Sequence, residues 1–169
     1  ADVAAAWDAL GGVPLILEGF VRFDREASIV GARSTRGETR AYPIVGNTHR
    51  EGILRMTVAP LRDARLQRAA EGNLQRVLDH FDYAGVLTIE FFVAGGRLVA
   101  NEMAPRVHNS GHWTIEGAAT SQFENHLRAI LGLPLGDTRP LGHAAMVNFI
   151  GTMPDRSQLL ALPGVHYHD

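Results

Sequence analysis

Between Asp63 and Phe81 the apolar residues Leu66, Ala70, Leu74, Val77, Leu78 and Phe81 recur at spacings of three and four, which predicts an amphipathic helix. A second helix is expected over Ser121 to Leu131, opened by a Ser121/Glu124 capping box and closed by Gly132. Val86–Val93 and Leu98–Met103, on either side of Gly95-Gly96, read as a β-hairpin. Upstream, segments at about 27–34, 39–45 and 53–59 are rich in β-branched and apolar residues separated by turn residues, and suggest an antiparallel sheet on which the first helix lies. Asp2 is placed to cap a short Ala-rich helix that Gly11-Gly12 ends, after which Val13–Leu17 reads as a buried strand. Pro134, Gly136, Pro140 and Gly142 mark a boundary, followed by a strand-like run Ala144–Ile150 and, from Leu159 to Asp169, the beginning of a further element. The fold class expected is α/β (α+β), with residues 1–137 as one unit and 138–169 as the start of a smaller C-terminal lobe.

Composition narrows the partners. With 46% hydrophobic and 20% charged residues the chain can bury a core without staples, and the absence of cysteine excludes disulfides, thiolate metal sites and a thiol nucleophile. A net charge of −2 with interspersed signs leaves no basic stripe for nucleic acid. No apolar run approaches the roughly 20 residues of a membrane helix, so the expectation is a soluble, cytoplasmic protein. All sixteen basic residues are Arg, and Lys is absent.

Glu90 and Glu102 occupy the two arms of the hairpin, and a three-residue turn would set them directly opposite each other. Facing carboxylates raise one another's pKa unless a cation lies between them. Magnesium, which accepts one or two carboxylates together with phosphate oxygens and water, resolves that conflict beside a nucleotide. Directly after Glu102 the loop Pro105–Trp113 gathers Arg106, His108, Asn109 and Ser110. A guanidinium can clamp an oxyanion in bidentate fashion, an imidazole can donate or exchange a proton near neutral pH, and the amide and hydroxyl can orient a polar substrate. Gly111 lets the backbone approach a ligand on this reading.

The string NEMAPRVHNSGHW, followed by SQFENHLRAILGLPL, resembles the signature of the carboxyaminoimidazole ribonucleotide synthetase family, the ATP-dependent subunit of phosphoribosylaminoimidazole carboxylase. LILEGFVRFDREASIVGAR and YPIVGNTHREGILR resemble that family's hinge strand and the strands after it, so the resemblance covers nearly the whole chain. A glutamate pair twelve residues apart is general among ATP-grasp enzymes, whereas APRVHNSGHW is particular to this family. The resemblance implies an ATP-grasp core and a carbon–nitrogen ligase of purine biosynthesis, which uses ATP, Mg2+ and bicarbonate to carboxylate aminoimidazole ribonucleotide through carboxyphosphate. It implies that Glu18 and Val21 meet the adenine edge and Glu26 the ribose. It places His49 and Asn101 near the nucleotide and gives Glu90 and Glu102 to magnesium. Arg106 and His108 would be catalytic, and with Asn109 and Ser110 would face bicarbonate, carboxyphosphate and the aminoimidazole. It further implies a homodimer for the full enzyme.

Two departures qualify the resemblance. Ala104 stands where many ATP-grasp enzymes carry an Asn two positions after the second glutamate, and the chain has neither the lysines nor the Gly-rich lid loop that usually hold ATP phosphates. On this reading the chain is a fragment, inactive alone, with the family's substrate domain and most of its lid before Ala1 and the rest of a C-terminal domain after Asp169. Two rivals share some features: another ATP-grasp carboxylase or ligase, against which the HNSGHW loop argues, and a non-catalytic remnant binding domain.

Overall fold

A computed structural model describes residues 2–168, so Ala1 and Asp169, at the outer ends of the two expected terminal segments, lie outside the described residues. The elements in order are α1 (Val3–Ala9), β1 (Arg25–Arg33), β2 (Thr39–Ala41), β3 (Val45–Arg50), β4 (Ile53–Ala59), α2 (Ala64–His80), β5 (Gly85–Ala94) and β6 (Arg97–Ala104). A 3-10 turn (Asn109–Gly111), α3 (Thr114–Gly117), α4 (Gln122–Ile130), β7 (Ala144–Val147) and α5 (Arg156–Leu160) follow. The strands form one seven-stranded antiparallel sheet in the order β6-β5-β1-β3-β4-β7, with β2 paired to the second half of β1. This is the mixed α/β fold with a mainly antiparallel sheet that the sequence pattern predicts.

Strand periodicity sorts the side chains of β1 and β5 onto two faces. Ala27 and Ile29 on β1, with Leu87, Ile89, Phe91 and Val93 on β5, turn to one face and bury against Leu66, Ala70, Leu74 and Leu78 of α2. Those four α2 residues are spaced by four and lie on one helical stripe. Asp63 caps this helix, its carboxylate accepting from the backbone of Arg65 and Leu66, both at 3.0 Å. Gly31 is required beneath the helix because a Cβ there would collide with the Leu74 side chain. On the other face, Val30, Ala32, Val45, Val86, Trp113, Ala118 and Ala129 make a second cluster around Tyr42, roofed by α4 and the chain before it. The Ser121 hydroxyl caps α4 by accepting from Glu124 N at 3.2 Å, while Glu124 reaches Arg128 rather than closing a reciprocal box.

The expected elements differ from the observed ones at five places. Val13–Leu17 forms no strand: Ile16 is 86% exposed and Leu17 82%, because an extended segment becomes a strand only beside a partner, and none of the described strands pairs with it. The single strand expected at 39–45 is broken into β2 and β3 around Pro43, which has no N–H for the ladder, and β3 itself was missed. Phe81 does not join the α2 stripe; α2 ends at His80, and Phe81 caps it, 59% exposed. The last expected strand stops at Val147, where it leaves β4. Beyond it, the element expected from Leu159 onward is instead the end of α5, capped by Asp155.

Candidate active site

Glu90 and Glu102 face each other across β5 and β6, although a three-residue turn does not bring this about. The turn has two residues, with Ala94 opposite Arg97, and by itself would set Glu90 against Asn101. A bulge restores the pairing: Phe91 opposes Ala100, Asn101 is the extra residue, and Glu102 moves into line with Glu90. Directly opposed residues project from the same face, so the bulge is what puts both carboxylates on one side of the sheet.

That face is read most easily as two rows across the sheet. Ser28, Glu90 and Glu102 stand in one row, and Thr57, Asn47 and Glu26 in the next. His49, beside the second row, bridges two carboxylates. Its Nδ1–H donates to Glu26 Oε2 at 2.9 Å, and its Nε2 lies 3.9 Å from Glu90 Oε1. His108 approaches from the loop, with Nε2 at 3.6 Å from the same Glu90 oxygen. Both approaches are longer than hydrogen bonds. Burial pushes the Glu90 carboxyl above its ordinary range; His49 partly offsets this, while Glu102 and Glu26 add to it. Burial also holds the His108 imidazole below its ordinary range, with Arg106 acting in the same direction.

The loop owes its shape to α4. Gln122, fully buried, clasps the His108 backbone at both ends: its Oε1 accepts from His108 N at 3.0 Å, and its Nε2 donates to His108 O at 2.7 Å. Thr114 completes the frame, its hydroxyl donating to Gly111 O at 2.6 Å and accepting from Gln122 N at 2.9 Å. Gly111 is needed for this clasp rather than for a ligand, since a Cβ there would strike the Gln122 side chain.

Among the residues expected at the site, Glu26, His49, Glu90, Glu102 and His108 come together on this face. Arg106 is exposed beside them, its guanidinium donating to Val107 O at 3.0 Å, and Asn109 is half-buried in the 3-10 turn. Ser110 differs from expectation: its hydroxyl is fully buried and bonded to Ser28 at 2.8 Å and to His108 Nδ1 at 2.9 Å, so it faces the interior and not a substrate. Glu18 and Val21 lie outside any regular element on the segment before β1, which is anchored by Phe23 stacked on Phe92 at 4.4 Å. Sequence reasoning missed Ser28, Asn47, Thr57, Thr114 and Gln122. Ser28 alone carries a signal, as a polar residue set between Ala27 and Ile29 in the apolar middle of its strand.

Two depressions, each about 700 Å3, adjoin this region. One runs between α2 and edge strand β6, past Arg76, Phe81, Leu98 and Met103, and reaches Glu102. The other begins at Asn109 and His112 and is walled by Glu116, His143, His166 and His168 from the C-terminal segment. Glu116 pairs with His168 at 3.0 Å. No helix among the described residues is long and apolar enough to cross a membrane.

A bulged antiparallel hairpin carrying paired glutamates, backed by a helix and followed by a polar loop, gives the chain a mixed α/β fold. The chain belongs to the ATP-grasp domain family, whose pattern matches residues 1–123. It is 57% identical over 168 residues to the N5-carboxyaminoimidazole ribonucleotide synthase of Pseudomonas aeruginosa, an alignment covering 99% of this chain and 46% of that protein. Among solved structures, the N5-carboxyaminoimidazole ribonucleotide synthetase of Thermus thermophilus superposes with a TM-score of 0.93 at 56% identity, covering 96% of this chain and 46% of that one. An N5-carboxyaminoimidazole synthase from Aspergillus clavatus, in complex with ADP and 5-aminoimidazole ribonucleotide, superposes with a TM-score of 0.85 at 33% identity over 95% of this chain and 44% of that one. The chain thus spans about half the length of the relatives it matches.

Proposed function

We propose that the chain is the catalytic-loop part of an ATP- and bicarbonate-dependent ligase that carboxylates the exocyclic amine of 5-aminoimidazole ribonucleotide in purine biosynthesis. The observation that carries this reading is the pairing of Glu90 with Glu102 across the bulged hairpin, with Arg106 and His108 from the following loop on the same side. The names and ligands of the matched synthases agree with it.

The donor set fits Mg2+. Two carboxylates share one face of the sheet, and the Glu90 pKa is raised first by burial and further by the charges of Glu102 and Glu26. Magnesium takes one or two carboxylates and draws its other ligands from phosphate oxygens and water. Bound there with ATP, magnesium supplies neutralisation of charge on the transferring phosphoryl group.

The chain's own residues do the rest. Arg106 offers its exposed guanidinium to the oxyanion of bicarbonate and then of carboxyphosphate, the mixed anhydride formed as ADP leaves. His108 presents Nε2 on the Glu90 side, and Gln122 fixes its backbone. Attack by the amine on the carboxyl carbon makes the N–C bond and expels phosphate, or phosphate leaves first and the amine attacks the released carbon dioxide; in either route the proton lost by the amine passes to the phosphate. The depression beside Asn109 has the volume of a small-molecule site and is the seat assigned to the aminoimidazole nucleotide. Glu18, Val21, Glu26, His49 and Asn101 are assigned to the nucleotide side. The reading keeps 1–137 as the ATP-grasp part and 138–169 as the start of a C-terminal lobe, in a cytoplasmic, homodimeric enzyme.

The test is steady-state kinetics on the complete gene product carrying this chain, with ATP, bicarbonate and aminoimidazole ribonucleotide titrated separately. ADP release that requires both of the other substrates is expected; the 169 residues assayed alone are expected to be inactive. ADP release supported by a different carboxylate or amine, and indifferent to aminoimidazole ribonucleotide, would overturn the assignment in favour of another ATP-grasp ligase.

A further inference from the structure

Behind His108 lies a chain of buried side chains that the ligase reading does not use. Thr57 Oγ1 lies 3.0 Å from Asn47 Oδ1, Asn47 Nδ2 2.9 Å from Ser28 Oγ, Ser28 Oγ 2.8 Å from Ser110 Oγ, and Ser110 Oγ 2.9 Å from His108 Nδ1. It crosses β4, β3 and β1 before reaching the loop. Thr57, Ser28 and Ser110 are fully buried and Asn47 is 7% exposed, so water does not compete for these bonds.

Hydroxyls and amides can be turned either way, so such a chain has two possible directions. One donor in it cannot be turned. The backbone N–H of Ser110 points at His108 Nδ1 at 3.3 Å, which makes that nitrogen an acceptor and leaves it without a proton. The direction follows link by link. Ser110 O–H donates to Nδ1; its oxygen then accepts from Ser28 O–H; Ser28 accepts from the Asn47 amide N–H; and Asn47 Oδ1 accepts from Thr57 O–H. Nδ1 then receives both the N–H and the O–H of Ser110, and every other acceptor in the chain receives one donor. The reverse direction would leave Nδ1 and the Ser110 N–H presenting hydrogens to each other.

We propose that the Ser110 backbone N–H locks His108 in the tautomer with its proton on Nε2, and that Ser28, Asn47 and Thr57 take their direction from it, so that the ring meets an oxyanion as a hydrogen-bond donor and not as a base. Nε2 is the nitrogen that faces Glu90, where the ligase reading puts the anionic reactants. The oxyanion part of the inference rests on that reading. The tautomer rests only on the hydrogen-bond geometry.

The test is nitrogen-15 NMR of the imidazoles in the labelled 169-residue chain at neutral pH, for the parent and for Ser28→Ala and Thr57→Val. His126 is the internal reference, since its Nδ1 also accepts from a backbone N–H, that of Val86 at 3.1 Å, with no hydroxyl chain behind it. In the parent, His108 Nδ1 is expected at a pyridine-type shift and Nε2 at a pyrrole-type shift. In both variants the two signals are expected to keep those positions, because the backbone donor remains, while those of His126 stay in place and report an intact fold. Thr57→Val nearly conserves side-chain volume and acts four links away, so it remains informative if Ser28→Ala fails to fold. A protonated Nδ1 in the parent overturns the proposal, as do His108 signals that move toward each other in a folded variant, which would give the lock to the hydroxyl chain instead. Neither result bears on whether the complete protein carboxylates aminoimidazole ribonucleotide, which the kinetic test decides separately.

Discussion

The two faces of β1 and β5 use the same backbone in opposite ways. Toward α2, alternate residues are apolar, and the face is closed by a stripe of Leu and Ala. Toward the loop, Ser28 and Glu90 share alternate positions with the apolar Val30, Ala32 and Val86, and Ser28, Glu90, Asn47, Thr57 and His108 make contacts whose direction or charge matters. Both faces are buried, so burial alone does not tell them apart. The first face is governed by volume and tolerates substitutions that keep it. The second is governed by the placement of protons and charges, and a change that keeps volume can still disable it.

The sharpest way to break the comparison is to damage each face with one substitution and measure both stability and turnover. Leu74→Ala opens a cavity in the volume-governed face and is expected to cost about 2–5 kcal/mol in urea unfolding, with the catalytic loop unaltered in the folded fraction. A loss under about 1 kcal/mol would mean that α2 packs loosely and that the face is not the stabilising one.

Arg106→Ala in the complete protein is expected to lower substrate-dependent turnover by about 10²-fold or more, the scale of removing a preorganised charge from an oxyanion. Nucleotide affinity, measured by direct titration, should barely change, and so should stability, because the guanidinium is exposed. Glu102→Ala should instead weaken use of Mg-ATP. Full turnover in Arg106→Ala would reduce the loop to a structural turn.

A smaller effect is expected at the α2 cap. Asp63→Ala removes the acceptor for two backbone N–H groups and should cost about 1 kcal/mol in the same unfolding assay, with no effect on kinetics. A turnover loss larger than the stability loss would show that the two faces are coupled through α2.

The smallest effect has the opposite sign. The folded pKa of Glu90 is raised, so this group's contribution to stability is fully present below the unfolded carboxylate value and is lost as pH rises through the folded one. Glu90→Gln should therefore stabilise the metal-free chain at pH 7, by about 1 kcal/mol as the scale of a buried polar mismatch. The advantage should shrink as pH falls toward the ordinary carboxylate range. His108 behaves inversely: with its pKa lowered, stability is fully present above the ordinary imidazole value and is lost as pH falls below it. For that reason the comparison is made between variant and parent at each pH. A pH-independent difference would mean that Glu90 does not carry the strain assigned to it.

Much of this was legible from the residues alone, and the legible part is local. The α2 stripe, the cap at Ser121 and the β5–β6 hairpin follow from periodicity and short-range hydrogen bonding, which a chain expresses before it folds. The residue types at 90, 102, 106 and 108 likewise pointed to carboxylate, cation and imidazole chemistry, and the loop string resembled one ligase family. The apolar run Val13–Leu17 misled because a strand is defined by a neighbour that local pattern does not supply. The facing of Glu90 and Glu102 depended on a one-residue bulge at Asn101, and a strand register has period two, so a single unpaired residue decides which face a side chain takes. Ser28 and Ser110, 82 residues apart, became partners only when β1 met the loop. The sequence determined which chemical groups are available; the tertiary structure decided which of them are buried together, because direction and distance between remote hydroxyls exist only after packing has excluded water from between them.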